Sequence, residues 1–181
     1  MLKLSVLTLL MTLGIAGAQP ETGGERIVQR PLDGFVSAHR QQAPQASIEE
    51  FVPQGETVQR WTRMVTIMRR TGVASRLAPL DYAHQFVAGL PASCPGAEVR
   101  APEAIQISNR PAARTLARCP LNPQTGLPES FYMFAIAGAA DMHIVQVAFR
   151  RVPTEAALDF AAEQLASVQF CAAVSAEPAC R

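Results

Sequence analysis

SFYMFAIA (Ser130–Ala137), GAAD (Gly138–Asp141) and MHIVQVAFR (Met142–Arg150) follow one another without interruption, and their reading decides the fold. In the first segment Phe131, Met133, Ala135 and Ala137 alternate with Tyr132, Phe134 and Ile136, so both faces are apolar. A strand of that kind belongs inside a sheet covered on both sides. In the last segment Ile144, Gln146, Ala148 and Arg150 share one face, and His143, Val145, Val147 and Phe149 share the other. With Gly138-Ala139-Ala140-Asp141 as the turn, the two segments form an antiparallel hairpin.

The elements around the hairpin are read from the same patterns. Ala104 to Ser108 and Ala112 to Arg118 are expected strands, joined by a turn at Asn109-Arg110-Pro111 and followed by a loop from Pro120 to Gly126. Leu80 to Leu90 has apolar residues at 80, 83, 86, 87 and 90 between Pro79 and Pro91, the stripe of a buried helix. Ser47 to Val52 suits a short strand, and Pro53-Gln54-Gly55-Glu56 is turn chemistry. Thr57 to Arg70 fits a helical stripe through Val58, Trp61, Val65 and Met68, and equally a strand face through Trp61, Arg63, Val65 and Ile67. Its β-branched content and the preceding turn favour a strand paired with Ser47 to Val52. Beyond the central hairpin, Pro153-Thr154-Glu155 supplies a stop, a cap and a first-turn acid. Leu158, Ala161, Leu165 and Val168 then mark a final helix ending at Cys171.

The resulting order is two strands, a helix, four strands and a helix. It predicts an α+β fold, an antiparallel sheet of about five to six strands with two packed helices. This order, with its Phe131-Tyr132-Met133-Phe134 to Val147-Ala148-Phe149-Arg150-Arg151 hairpin before the last helix, resembles the PsbP-like α/β/α sandwich of small exported bacterial proteins. The resemblance spans roughly residues 47 to 170. It implies an accessory or binding role and carries over no functional residue.

At the N-terminus, Lys3 precedes an apolar run from Leu4 to Ile15, and Ala16-Gly17-Ala18 offers small residues before polar Gln19-Pro20-Glu21. This is the pattern of a cleaved signal peptide over residues 1–18. The run falls short of the roughly 20 apolar residues a spanning helix needs. No transmembrane anchor is expected after cleavage, and the absence of a cysteine at the cleavage point gives no signal for a lipid anchor. Residues 19–46, rich in Gln, Pro, Gly and charge, read as an extended polar leader, with residues 47–181 as a single domain. A periplasmic or secreted protein follows.

Lys3 is the only lysine, so the expected mature chain balances its arginines against 15 Asp and Glu residues. That balance gives no attraction for nucleic acid. Four cysteines in an exported chain point to disulfides, which four thiols can form in three ways. Cys94 with Cys119 and Cys171 with Cys180 is the favoured pairing, since each joins segments that a simple fold brings close. With no C-x-x-C present, redox chemistry has little support.

The chemistry-bearing residues are sparse. His39, His84 and His143 are the only candidate imidazole bases, and no G-x-S-x-G accompanies them. Asp81 and His84 are helix neighbours. Asp141 and His143 offer a carboxylate and an imidazole at a hairpin mouth, a pattern more often filled by a turn acid and a sheet-face histidine than by metal ligands. Glu49 and Glu50 point to opposite strand faces, and Glu155, Asp159 and Glu163 form a line along the last helix, a solvated face or an acidic docking stripe. Trp61 is a sheet anchor or a ligand-stacking platform. The pairs Arg69-Arg70 and Arg150-Arg151 end two expected strands and, if neighbours, form an anion or headgroup patch. No cofactor and no metal are expected. The leading reading is a non-enzymatic periplasmic accessory or binding protein for an unknown envelope partner or small ligand. The alternative is a small envelope hydrolase whose residues are dispersed in sequence.

Overall fold

The computed structural model describes residues 24–172 and Cys180. The expected signal peptide, residues 1–18, lies outside the described residues. Chain order runs β1 (Arg26–Val28), β2 (Phe35–Ala43), β3 (Ala46–Pro53), β4 (Arg63–Arg70), α1 (Pro79–Ala88) and α2 (Leu90–Ser93). It continues through β5 (Glu98–Val99), β6 (Glu103–Ile107), β7 (Arg110–Asn122), β8 (Leu127–Ala137), β9 (Met142–Phe149), α3 (Glu155–Ala166) and β10 (Gln169–Cys171). The main sheet has eight strands in the order β2-β3-β4-β9-β8-β7, with β5 and β6 both pairing along the outer edge of β7. Every pairing is antiparallel. The separate two-stranded ladder joins β1 to β10.

The α+β class holds and the strand number is larger than expected. The hairpin of β8 and β9 sits at the centre, with Phe134 opposite Val145 and Met133 opposite Gln146. On one face α1 closes a core of Ala83, Ala113, Met133, Ala135, Met142 and Ile144. On the other, α3 lays Ala157, Ala161 and Leu165 over Val65, Ile136, Val145, Val147 and Phe149. Burying apolar area on both faces of the central strands is the main stabilising term for such a sandwich. Thr154 caps α3 by accepting from the Ala157 amide at 3.4 Å.

The stretch read as a polar leader contributes two strands, which corrects that reading. β2 pairs along the full length of β3, from Phe35 opposite Pro53 to Ala43 opposite Ala46. It is an edge strand, so polar residues suffice on its solvated side. Arg40 and Ser37 reach Glu49 at 2.7 and 2.8 Å. At its start, Phe35 stacks on Phe160 of α3 with centroids 5.5 Å apart, and the Arg63 guanidinium lies over both rings.

Other boundaries also move. The loop expected from Pro120 to Gly126 narrows to residues 123–126, because β7 runs to Asn122 and β8 begins at Leu127. β4 begins at Arg63 because residues 57–62 form a turn: Thr57 and Arg60 exchange backbone bonds at 3.1 and 3.0 Å, and Glu56 accepts from the Thr62 amide at 2.6 Å. The β6–β7 turn is Ser108-Asn109, with φ of 49° and 58°, the doubly left-handed conformation of a two-residue hairpin, so Arg110 and Pro111 already belong to β7. The last helix ends at Ala166, and the sequence up to Cys171 turns extended because its amides pair with β1. Disulfides join Cys94 to Cys119 and Cys171 to Cys180. The first ties the end of the α1–α2 region to β7. The second closes the chain back onto β10.

Candidate functional site

α1 covers β7, β8 and the Met142–Ile144 end of β9, and leaves β3 and the Arg63 ends of β4 and β9 beyond its reach. There the strand register builds a row across the sheet: Glu50 lies opposite Thr66, and Thr66 opposite Gln146. Ile48, Met68 and Ile144 flank this row on one side, and Met64, Ala148 and Phe131 on the other. The polar row floors a groove of about 300 Å³. At one end the groove is walled by Trp61 and Val58 from the 57–62 turn and by Glu129 and Arg150.

Arg150 holds that wall together. Its Nε donates to Glu129 Oε1 at 2.9 Å, its Nη1 donates to the Gln59 carbonyl at 2.7 Å, and its guanidinium carbon sits 4.2 Å from the Trp61 ring centroid. Glu129 is further fixed by the Asn122 amide at 2.9 Å. The guanidinium is therefore engaged from three directions, and it works as a bracket that presents Trp61 to the groove.

The arginine pairs do not converge. Arg63 lies opposite Phe149 and Arg70 opposite Met142, so Arg69-Arg70 and Arg150-Arg151 occupy opposite ends of β4 and β9, roughly 20 Å apart along the strands. Arg69 instead approaches Asp141 at 3.5 Å, while Arg70 and Arg151 are exposed. Of the expected binding residues, the structure brings together Trp61 and Arg150. Glu50 stood in the sequence only as half of an acid pair, and Thr66, Gln146 and Glu129 were not offered as site residues; the row of Glu50, Thr66 and Gln146 exists only through register.

A second polar cluster lies at the other end of the hairpin. His143 is 3% exposed, its ring edge-on to Phe170 at 5.2 Å, and its Nε2 is 3.7 Å from Glu25 Oε2. The other Glu25 oxygen accepts from the Ala139 amide at 2.7 Å. Asp141 accepts from the Gly72 amide at 2.8 Å and faces Arg69. Burial pushes the His143 pKa below its ordinary value, against the attraction of Glu25. His143 is a buried residue facing the N-terminal segment. No group of three or more His, Cys, Asp or Glu side chains suited to a metal occurs among the described residues. His84 is exposed on α1 and His39 sits on β2, so the three histidines belong to separate places in the fold.

No protein-family model matches this chain. No curated protein matches it. Among solved structures, it is similar to the cyanobacterial PsbP protein CyanoP of Synechocystis, with a TM-score of 0.56 at 9% identity over 88% of this chain and 99% of that one. A mutant of the protein Mog1 aligns with a TM-score of 0.51 at 12% identity, over 79% of this chain and 89% of that one. The Ran-binding protein Mog1p of Saccharomyces cerevisiae gives 0.49 at 11% identity, over 81% and 95%. The fold is PsbP-like.

Proposed function

We propose that this protein is a non-enzymatic accessory protein of the cell envelope that binds another envelope protein through the open half of its α1 face. The observation that carries the reading is the groove itself. Its floor is a polar row between apolar rows, and a tryptophan is held at its mouth by a fixed arginine. That composition, an aromatic anchor beside satisfied polar groups, is the usual anatomy of a protein-recognition surface. The apolar segment at residues 4–15, the small residues before Gln19 and the two disulfides support an extracytoplasmic place of work. PsbP-like neighbours are consistent with a binding role, and the fold alone specifies no partner.

The test is a photoactivatable amino acid placed at Gln146 in intact cells, with the same residue at exposed Gln106 of β6 as a control. The reading predicts one discrete protein adduct from position 146, lost when Trp61→Ala is added, and none from position 106. Equal labelling from both positions, or an adduct indifferent to Trp61→Ala, contradicts it.

A further inference from the structure

On the opposite face, α3 packs over β9 and leaves the outer part of β7 uncovered. Between helix and strand lies a cavity of about 360 Å³ with Leu116, Tyr132 and Phe134 as floor and Ala162, Leu165 and Ala166 as helix wall. Past Leu116 it meets a second hollow lined by Val99, Arg100 and Arg118, with the Glu98 carboxylate at its margin, so two arginines face one acid there. From Arg118 it continues into a third, bounded by Val152, Pro153 and Leu158. Neighbouring hollows share lining residues, Arg100 and Leu116 between the first two and Glu98 and Arg118 between the last two, so they line up as a trough along β7, where Arg114 to Pro120 extends roughly 20 Å at strand spacing. Arg114 is bound to Glu103 at 2.8 and 2.6 Å. Arg100 and Arg118, both exposed, make no side-chain hydrogen bond or ion pair among the described residues.

We infer that this trough binds a single-chain anionic amphiphile, an unbranched hydrocarbon chain ending in a carboxylate. The chain lies in the apolar cavity under the C-terminal half of α3, and the carboxylate meets Arg100 and Arg118 in the middle hollow. Two observations select this occupant. The outer edge of β7 is already paired by β5 and β6, so an extended peptide has no free strand edge of β7 to join. The apolar hollow under α3 also sits near the lower end of the roughly 300–1,000 Å³ range of small-molecule sites, a size that suits one hydrocarbon chain. The site is on the face opposite Trp61, so its fate is separate from that of the partner groove.

The probe is laurate, titrated calorimetrically below its micelle concentration against the full mature chain, beside decanoate, octanoate and dodecyltrimethylammonium. The expected result is saturable binding of one laurate, weakening by up to about fourfold per methylene removed, with the cation at least tenfold weaker. Ala162→Trp, at an exposed position of the helix wall, abolishes binding with the far-ultraviolet circular dichroism unchanged. Arg100→Glu weakens it at least tenfold, and serves as the deciding variant if Ala162→Trp does not fold. Equal affinity for the anion and the cation, indifference to both substitutions, or binding only to anionic vesicles without saturation by monomeric laurate overturns the proposal.

Discussion

His143 shows how a single buried side chain links the ends of the molecule to pH. Its imidazole is enclosed by Phe170, faces Glu25 from the N-terminal segment, and lies near Asp141 and Arg69. Because burial lowers its pKa from the ordinary 6.5, the unfolded chain binds more protons than the folded one just below that value. Stability is therefore full above about pH 6.5 and falls as the pH drops toward the folded-state pKa. Urea unfolding at about pH 7.5 and pH 5.5 checks this: the native chain is expected to lose stability between them, and His143→Leu to flatten the difference. A native chain equally stable at both values would contradict the assignment. Arg150 gives a second prediction at this scale. Replacing it by Ala removes charge-assisted bonds to Glu129 and Gln59, each of a kind that contributes about 1.5–3 kcal/mol, and uncovers the Trp61 ring. Arg150→Ala should lower the unfolding midpoint and shift Trp61 emission to the red. Unchanged emission would show that the stack is absent in solution.

Among the elements, the β8–β9 hairpin, the helices at α1 and α3 and the pairing of β3 with β4 were legible from alternation, proline boundaries and the Thr154 cap. Those signals are local. β2 was not legible because an edge strand carries polar residues outward, and FVSAHRQQA has the composition of a solvated segment until Glu49 and Phe160 are set beside it. β10 was hidden for a related reason: Gln169, Phe170 and Cys171 continue an apparent helical stripe, and only pairing with Arg26–Val28 makes them extended. That short ladder depends on the C-terminal disulfide, since the Arg26 guanidinium also donates to the Cys180 carbonyl. Replacing both Cys171 and Cys180 by Ser should cost about 2–3 kcal/mol. Hydrogen exchange should then accelerate at Arg26–Val28 and Gln169–Cys171, with the amides of β4, β8 and β9 unaltered at native conditions. Uniform acceleration throughout the sheet would mean that the ladder is no separate unit.

At the scale of the whole molecule, one sheet carries two unlike surfaces, and neither could be read from the chain alone. The Trp61 groove depends on Glu50, Thr66 and Gln146 standing in register across three strands, and the β7 trough depends on how far α3 reaches across the sheet. Sequence spacing records neither distance. It does record the paired cysteines, and it carries the apolar and small-residue pattern from which export is proposed. No helix among the described residues is long and apolar enough to cross a membrane. The most direct test of the account's central claim, a disulfide-stapled protein working outside the cytoplasm, is the intact mass of the protein recovered from the periplasm of the expressing cell, alkylated before and after reduction. The account predicts a chain beginning at Gln19 that takes up alkylating reagent at its four cysteines only after reduction. A chain retaining its first residues, with thiols alkylated before reduction, would contradict it.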